Sequence, residues 1–531
     1  MGKKVGFAPE PEEDLKEHHE QLKKIEQDKR QYNSFQKMPP ELSYLNPKTP
    51  GPKPLPTKIE STEPKPIKKV KELGDLKRCH VKDISVINKD TEINFNYPTI
   101  ELPISSYNLL VQVEFAGLNS FDISKINKYY YNLSDTYVGL GYEFCGTVVD
   151  IGKNVKNGLA KGDKVFGSVS PFGRKGSLST TLLLNPQKDF IVKIDDEMLE
   201  SLENVDINLE FNEPSNLQIS TLGKFSSLPV LYCKTKQALQ HLKNLQSPVI
   251  LINGADTNLG LTILQVLNSS LYNFQYLTLI LIVEDGNVEI MENYVKQFQT
   301  PNKIFEIIEF NLENTDIVLP GEKIPINFKK PDLMAVNIFE SMFKHSSETI
   351  NKSNINNYKC DLIIDIIGSN WLTKTSIKYK KLDYLTLPVK FETPLSSLLV
   401  ANNDYFFTKL LKPKSSYSSF VSFCKFNLKE SSYSIDKLID YSTQSNEQSL
   451  LNPWAANWTS NIANSLIKYN YHDEINLIVK SSWIMEGYQL LADNELKFKI
   501  DEFIDWRNNF KQYYTKLRKN DGKVIFSLEK F

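Results

Sequence analysis

The sequence predicts an α/β protein with two folded parts, a small closely stranded β-barrel and a doubly wound parallel sheet. Three observations carry this prediction. The first is Pro248 to Gly260, reading PVILINGADTNLG: a short apolar run, Val249 to Ile252, then Asn253-Gly254, then an apolar helix-like segment from Leu259 to Leu267. Strand, glycine turn and helix in that order open a dinucleotide-binding unit. The glycine lets the chain turn tightly, and the helix start offers free N–H groups and positive dipole to a pyrophosphate. The second is Asp361 to Gly368, DLIIDIIG, which has the continuous apolar character of a parallel strand buried on both faces. The third is a series of short strands broken by glycines between Arg78 and Phe225, the pattern of a small barrel rather than a helical layer.

A chain of 531 residues is long enough for two or three domains and a sizeable core. Lysine and arginine number 63 against 64 acidic residues, so no global field argues for a nucleic-acid partner. The five cysteines, Cys79, Cys145, Cys233, Cys360 and Cys424, are scattered and form no CxxC pair. That usage fits buried free thiols in a reducing compartment and gives no support to a structural zinc. No apolar run reaches the roughly 18 residues a membrane span needs, and the N-terminus lacks a signal-like apolar core. The expected location is the cytoplasm, with or without peripheral attachment to a membrane.

In chain order, residues 1–77 read as a disordered tail. From Glu12 to Lys37 the sequence is highly charged, with Leu15, Leu22, Ile25 and Tyr32 at heptad-compatible spacing; a solvated single helix is the favoured reading, a partner-binding helix the other. Met38 to Lys71 holds nine prolines, seven lysines and three glutamates, which leaves too little apolar surface to fold and a net positive charge. The beginning Met1-Gly2-Lys3-Lys4-Val5-Gly6 has glycine where a myristoylation signal prefers serine or threonine, so acylation is not expected. The first folded part spans 78–225. Leu109 to Phe115 alternates as a half-buried strand that Ala116-Gly117 should end, and Tyr142 to Val149, Asp163 to Gly167 and Ser179 to Leu184 supply further strands. Gly146, Gly152, Gly162 and Gly167 fall at strand ends and turns, where their role is architectural.

Several motifs in one order resemble the medium-chain dehydrogenase/reductases. They are AGLNSFD (Ala116 to Asp122), GLGYEFCGTVVDIGKNVKNGLAKGDKVFG (Gly139 to Gly167), LPVLYCKTKQAL (Leu228 to Leu239), CDLIIDIIG (Cys360 to Gly368) and a closing segment, Phe498 to Glu529. Their spacing is similar to the quinone-oxidoreductase-like branch over roughly residues 78–531, with extra length in 310–358 and 370–480. The resemblance implies a GroES-like barrel over 78–225 completed by 500–531, and a Rossmann-type domain with insertions over 226–499.

It also implies where chemistry would lie. Zinc-dependent relatives carry a cysteine where this chain has Asn119 and a histidine where it has Tyr142, and the six histidines form no substitute cluster, so no zinc is expected. In the zinc-free branch, which resembles this chain at Asn119, Asp122 and Tyr129, hydride passes from the nicotinamide directly to a quinone or enone carbon. A hydroxyl such as that of Tyr129 would hydrogen-bond the oxygen that gains charge; the other reading makes Tyr129 one of an exposed run, Tyr129-Tyr130-Tyr131. The cofactor-binding candidates are Gly254, Thr257, Gly260, Glu284, Asp285 and Gly368. Thr257 stands where the branch has a glycine, placing a β-branched side chain where backbone should approach the pyrophosphate. Glu284-Asp285, ending the strand from Leu277 to Val283, accept ribose hydroxyls and repel a 2′-phosphate, so NADH is favoured over NADPH if NAD(P)H binds. Lys234 and Lys236 replace a threonine and a tyrosine that relatives hold near the nicotinamide.

A glycine-poor turn and a long segment before the closing part are also similar to fungal proteins of the Ast type, as are Phe406 to Phe423 and LNPWAANW, Leu451 to Trp458. That likeness implies a peripheral membrane factor in targeting the plasma-membrane proton pump, with a membrane-protein cargo or an anionic membrane surface as partner. The other function the resemblance allows is a zinc-independent NAD(P)H-dependent oxidoreductase acting on a small-molecule quinone or enone. A homo-oligomer is compatible with both.

Overall fold

The structure, a computed structural model, describes residues 77–86, 93–122, 138–156, 158–171, 173–211, 217–242, 246–310, 315–317, 326–328, 330–367, 390–399, 406–413, 417–423, 470–474, 476–505 and 522–528. The predicted tail up to Leu76, Tyr129, Gly368, Cys424 and the run Leu451 to Trp458 lie outside the described residues.

Six parallel strands form the central sheet in the order Lys303–Phe310, Leu277–Glu284, Val249–Asn253, Leu362–Asp365, Ser419–Ser422, Asn470–Asp473. Along the chain that is the order 3-2-1-4-5-6, the arrangement of a doubly wound dinucleotide-type fold. Apolar residues alternate between its two faces. Ile250, Ile252, Leu279, Leu281 and Ile364 join one core, while Leu251, Ile280, Ile282 and Ile363 join another. Helices Pro229–Leu239 and Asn258–Asn268 cover the first face, and Lys330–Phe343 covers the second. The segment Asn258–Asn268 is buried nearly all round, as its continuous apolar sequence requires.

The barrel sheet runs Phe190–Lys193, Lys164–Ser168, Glu143–Ile151, Leu109–Leu118, Lys523–Ser527, Ile500–Asp505, with Thr181–Leu184 also on Leu109–Leu118. Here one expectation is corrected. Ala116-Gly117 does not end its strand, which continues to Leu118 because Ala116 and Gly117 pair with Phe526 and Ile525 of the closing strand. Short-range alternation could not reveal a partner so distant in sequence. One apolar core is continuous from the barrel into the first face of the parallel sheet.

Lys359, just before the strand Leu362–Asp365, is 8% exposed. Burial first, and the neighbouring Lys409 ammonium second, push its pKa down to about 8. Between that value and its unfolded value of 10.5 the unfolded chain binds more protons, so this group's contribution to stability rises with pH across the window and is lost as pH falls through 8. Replacing Lys359→Met should therefore stabilise the protein at pH 7.5, by on the order of 2–3 kcal/mol at most, and much less at pH 10. Urea unfolding of both proteins at the two pH values measures this; an equal gain at both would show that Lys359 does not titrate in that range.

Candidate functional site

The crevice of such a sheet lies beyond the carboxyl ends of the strands, where neighbouring connections leave in opposite directions. Here that point falls between Val249–Asn253 and Leu362–Asp365, whose ends are tied by the buried Asn253 Nδ2 donating to Asp365 Oδ1 at 2.8 Å. Gly254 follows with φ +89°, a conformation glycine adopts without strain, and an added Cβ would meet Ile367 Cγ2 at 2.7 Å. At Gly260 a Cβ would lie 2.3 Å from the Gly254 carbonyl oxygen, so the helix can approach the turn only without a side chain. Gly254, Thr257 and Gly260 thus lie together at the turn.

Thr257 does something other than crowd a ligand. It is the N-cap of helix Asn258–Asn268: its hydroxyl accepts from Gly260 N at 3.1 Å and donates to the Gly254 carbonyl at 2.7 Å. A cap of this kind contributes about 1 kcal/mol. The N–H groups of Gly254 and Ala255 both donate to the Ile282 carbonyl, at 3.0 and 2.9 Å. Glu284 is the last residue of its strand, with an exposed side chain, and its N–H donates to Asp256 Oδ2 at 2.8 Å. Asp285 is exposed and hydrogen-bonds the Glu309 carboxyl, raising its pKa.

On the barrel side, Asn119 and Asp122 are buried in one network. Asp122 accepts from Asn119 N at 2.9 Å and from Gly141 N at 2.8 Å, holding the turn in shape. Asn119 Nδ2 donates to Glu143 Oε1 at 2.9 Å. That oxygen also lies 2.6 Å from the Lys523 ammonium, both side chains being 0% exposed. Glu143 Oε2 accepts from Val230 N at 3.0 Å, at the start of helix Pro229–Leu239, where a negative charge meets the positive end of the dipole. Lys523 also donates to the Ser227 carbonyl. Burial pushes the Glu143 carboxyl up to about 7 against the pull of Lys523, and pushes the Lys523 ammonium down.

Between the two sides stands Lys234, 1% exposed. Its ammonium lies 5.3 Å from the centre of the Phe121 ring and 5.2 Å from that of Phe423, and donates to the Glu474 and Asn476 carbonyls at 2.7 and 3.0 Å. Lys236 on the same helix points elsewhere, to Glu486 at 2.6 Å. Glu143, Lys523 and Asp256 were not singled out from sequence. Their signal was a charge placed inside or beside an apolar strand or turn, which is costly unless something satisfies it.

These groups do not fit a dinucleotide as arranged. The N–H groups of Gly254, Ala255 and Gly260 and the Thr257 hydroxyl are committed within the chain, the Asp256 carboxylate sits in the turn, and Lys234 fills the space between Phe121 and Phe423. Nor does the donor set suit a metal cation, since an ammonium lies against the Glu143 carboxylate and both oxygens of the Asp122 carboxylate accept backbone N–H groups. Among the described residues no group of three histidine, cysteine or acidic side chains could hold a metal ion.

Barrel and sheet together, with the closing strand returning to the barrel, define a medium-chain dehydrogenase/reductase fold, and residues 105–192 match the alcohol dehydrogenase GroES-like domain. Within that class the chain is similar to two yeast proteins. Protein AST1 of Saccharomyces cerevisiae is 23% identical over 490 residues, 90% of this chain and 95% of that protein. Protein AST2 of the same yeast is 29% identical over 219 residues, 41% of this chain and 46% of that protein. Among solved structures, the quinone oxidoreductase from Coxiella burnetii is 15% identical with a TM-score of 0.47, covering 85% of this chain and 100% of its own.

Lys523→Met should destabilise the protein by about 3–5 kcal/mol, because it leaves the Glu143 carboxyl buried without its cation. The double variant Lys523→Met, Glu143→Gln should recover much of that loss, since a neutral amide keeps an oxygen for Val230 N. Chemical denaturation of the three proteins reads both effects; a single variant as stable as the parent would show the pair to be structurally idle.

Proposed function

We propose that this chain is a binding protein built on an oxidoreductase fold: an Ast-type factor that works peripherally at membranes in targeting the plasma-membrane proton pump. The observation that carries the non-catalytic part is the Lys234 ammonium, buried between Phe121 and Phe423 and hydrogen-bonded to the Glu474 and Asn476 carbonyls. A hydride donor and its acceptor need an open, water-excluding cleft in which two planar groups can stack; here a charge with its own partners stands in that place. The targeting part rests on the likeness to Ast-type proteins. No described helix is long and apolar enough to cross a membrane; the proposed attachment is through a surface or a partner.

Titration with NADH or NADPH should give no saturable signal below about millimolar concentration, and neither should be oxidised when a quinone or enone is added. A micromolar dissociation constant with turnover would instead support a zinc-independent reductase. In that case NADH should bind more tightly than NADPH, because Glu284 and Asp285 repel a 2′-phosphate.

The membrane part has its own test. Residues 38–71 carry seven lysines and three glutamates. Near an anionic leaflet each lysine contributes on the order of 1 kcal/mol, enough for weak recruitment and too little for anchoring without a second signal. Full-length protein should sediment with anionic vesicles at low salt and be released at high salt, whereas a chain shortened to begin at Lys77 should stay in the supernatant. Equal sedimentation of the shortened chain would place any membrane contact on the folded part.

A further inference from the structure

A dinucleotide turn binds its ligand because N–H groups and a helix start face an anion with nothing of like sign in the way. In this chain the turn brings its own anion. Asp256 sits between Gly254 and the cap Thr257, 5% exposed. Its Oδ2 accepts from Glu284 N and from Asn287 Nδ2, each at 2.8 Å. Both donors belong to the end of the second strand and the turn after it, the place against which the adenosine ribose rests in folds of this kind. The carboxylate therefore joins the glycine turn to the second strand end, the two parts that a bound ribose and pyrophosphate otherwise span. Other donors of the turn are spent within the chain too, Gly254 N and Ala255 N on Ile282, Gly260 N on the Thr257 hydroxyl and that hydroxyl on Gly254. Glu284 and Asp285, with Glu309 hydrogen-bonded to Asp285, add negative charge around the same edge.

We propose that Asp256 is a built-in substitute for the ligand's anion: it holds the turn in its closed shape without a nucleotide and makes the site refuse diphosphate-bearing ligands. The inference rests on the binding-protein reading above and assigns a residue to it. It is separate from the Lys234 obstruction, which concerns the far end of the crevice. The phosphate end can be probed alone with ADP-ribose, which carries the adenosine, both riboses and the pyrophosphate but no nicotinamide.

The experiment is calorimetric titration of ADP-ribose into the full-length chain and into Asp256→Asn and Asp256→Ala. The asparagine variant keeps an oxygen for Glu284 N and loses the charge; the alanine variant also opens the space. The parent should show no saturable binding up to about 5 mM, and the neutral variants should bind at least about tenfold more tightly. Melting temperatures check that each variant is folded, the asparagine variant guarding against collapse of the other. Folded variants that bind no better than the parent would overturn the assignment and leave the binding-protein reading standing. Micromolar binding of ADP-ribose to the parent would also overturn it. Binding and oxidation of NADH by the parent would sink the broader reading instead.

Discussion

The interaction on which the molecule depends is the buried pair of Glu143 and Lys523. One carboxylate receives the Asn119 amide, the Lys523 ammonium and the first free N–H of helix Pro229–Leu239, while the ammonium reaches on to Ser227. Four separate pieces of chain meet there: the turn at Asn119, the barrel strand, the crossing into the second domain and the closing strand. Removing two charges from water is expensive, and a well-packed apolar pair would hold these pieces at least as firmly. What a charge pair adds is alignment. A shift of the closing strand by one residue would turn Lys523 to the other face and strand Glu143, so only one register is tolerated.

The same economy of partners runs through the crevice. An enzyme keeps preorganised donors aimed at a place where charge will develop, and their lack of a protein partner is part of how they work. In this chain the corresponding groups have partners already. Thr257 caps its helix, Asn258 exchanges two hydrogen bonds with the backbone of Lys499, Asp256 links the turn to the second strand, and Lys234 ties its helix to the segment after the last parallel strand. These bonds are spent on rigidity, and the Rossmann-type half is joined to the returning chain by the direct bonds between Asn258 and Lys499.

The fold was legible because parallel strands buried on both faces must be continuously apolar, and Val249 to Ile252 and Leu362 to Ile364 are. The glycine turn was legible because its backbone conformation leaves few choices of residue. The strand at Ala116-Gly117 was misjudged at its end, since its extension depends on pairing with Phe526 and Ile525. Asp256 and Lys523 escaped for a related reason. A single charge carries no periodicity, and its meaning depends on which distant donors the fold brings to it. Thr257 was read as an obstacle, although the same β-branched hydroxyl residue is a good helix cap once the helix start is known.

The placement of the closing strand has a consequence for how the protein comes into being. Leu109–Leu118 lies in the middle of the barrel sheet, and its edge away from Glu143–Ile151 is shared: Thr181–Leu184 covers Leu109 to Gln112, and Lys523–Ser527 covers Phe115 to Leu118. During synthesis the Phe115 to Leu118 end of that edge waits for the closing strand until the parallel sheet has been made, with N–H and C=O groups left to pair beside an apolar face. The barrel is thus begun before the parallel sheet and completed after it.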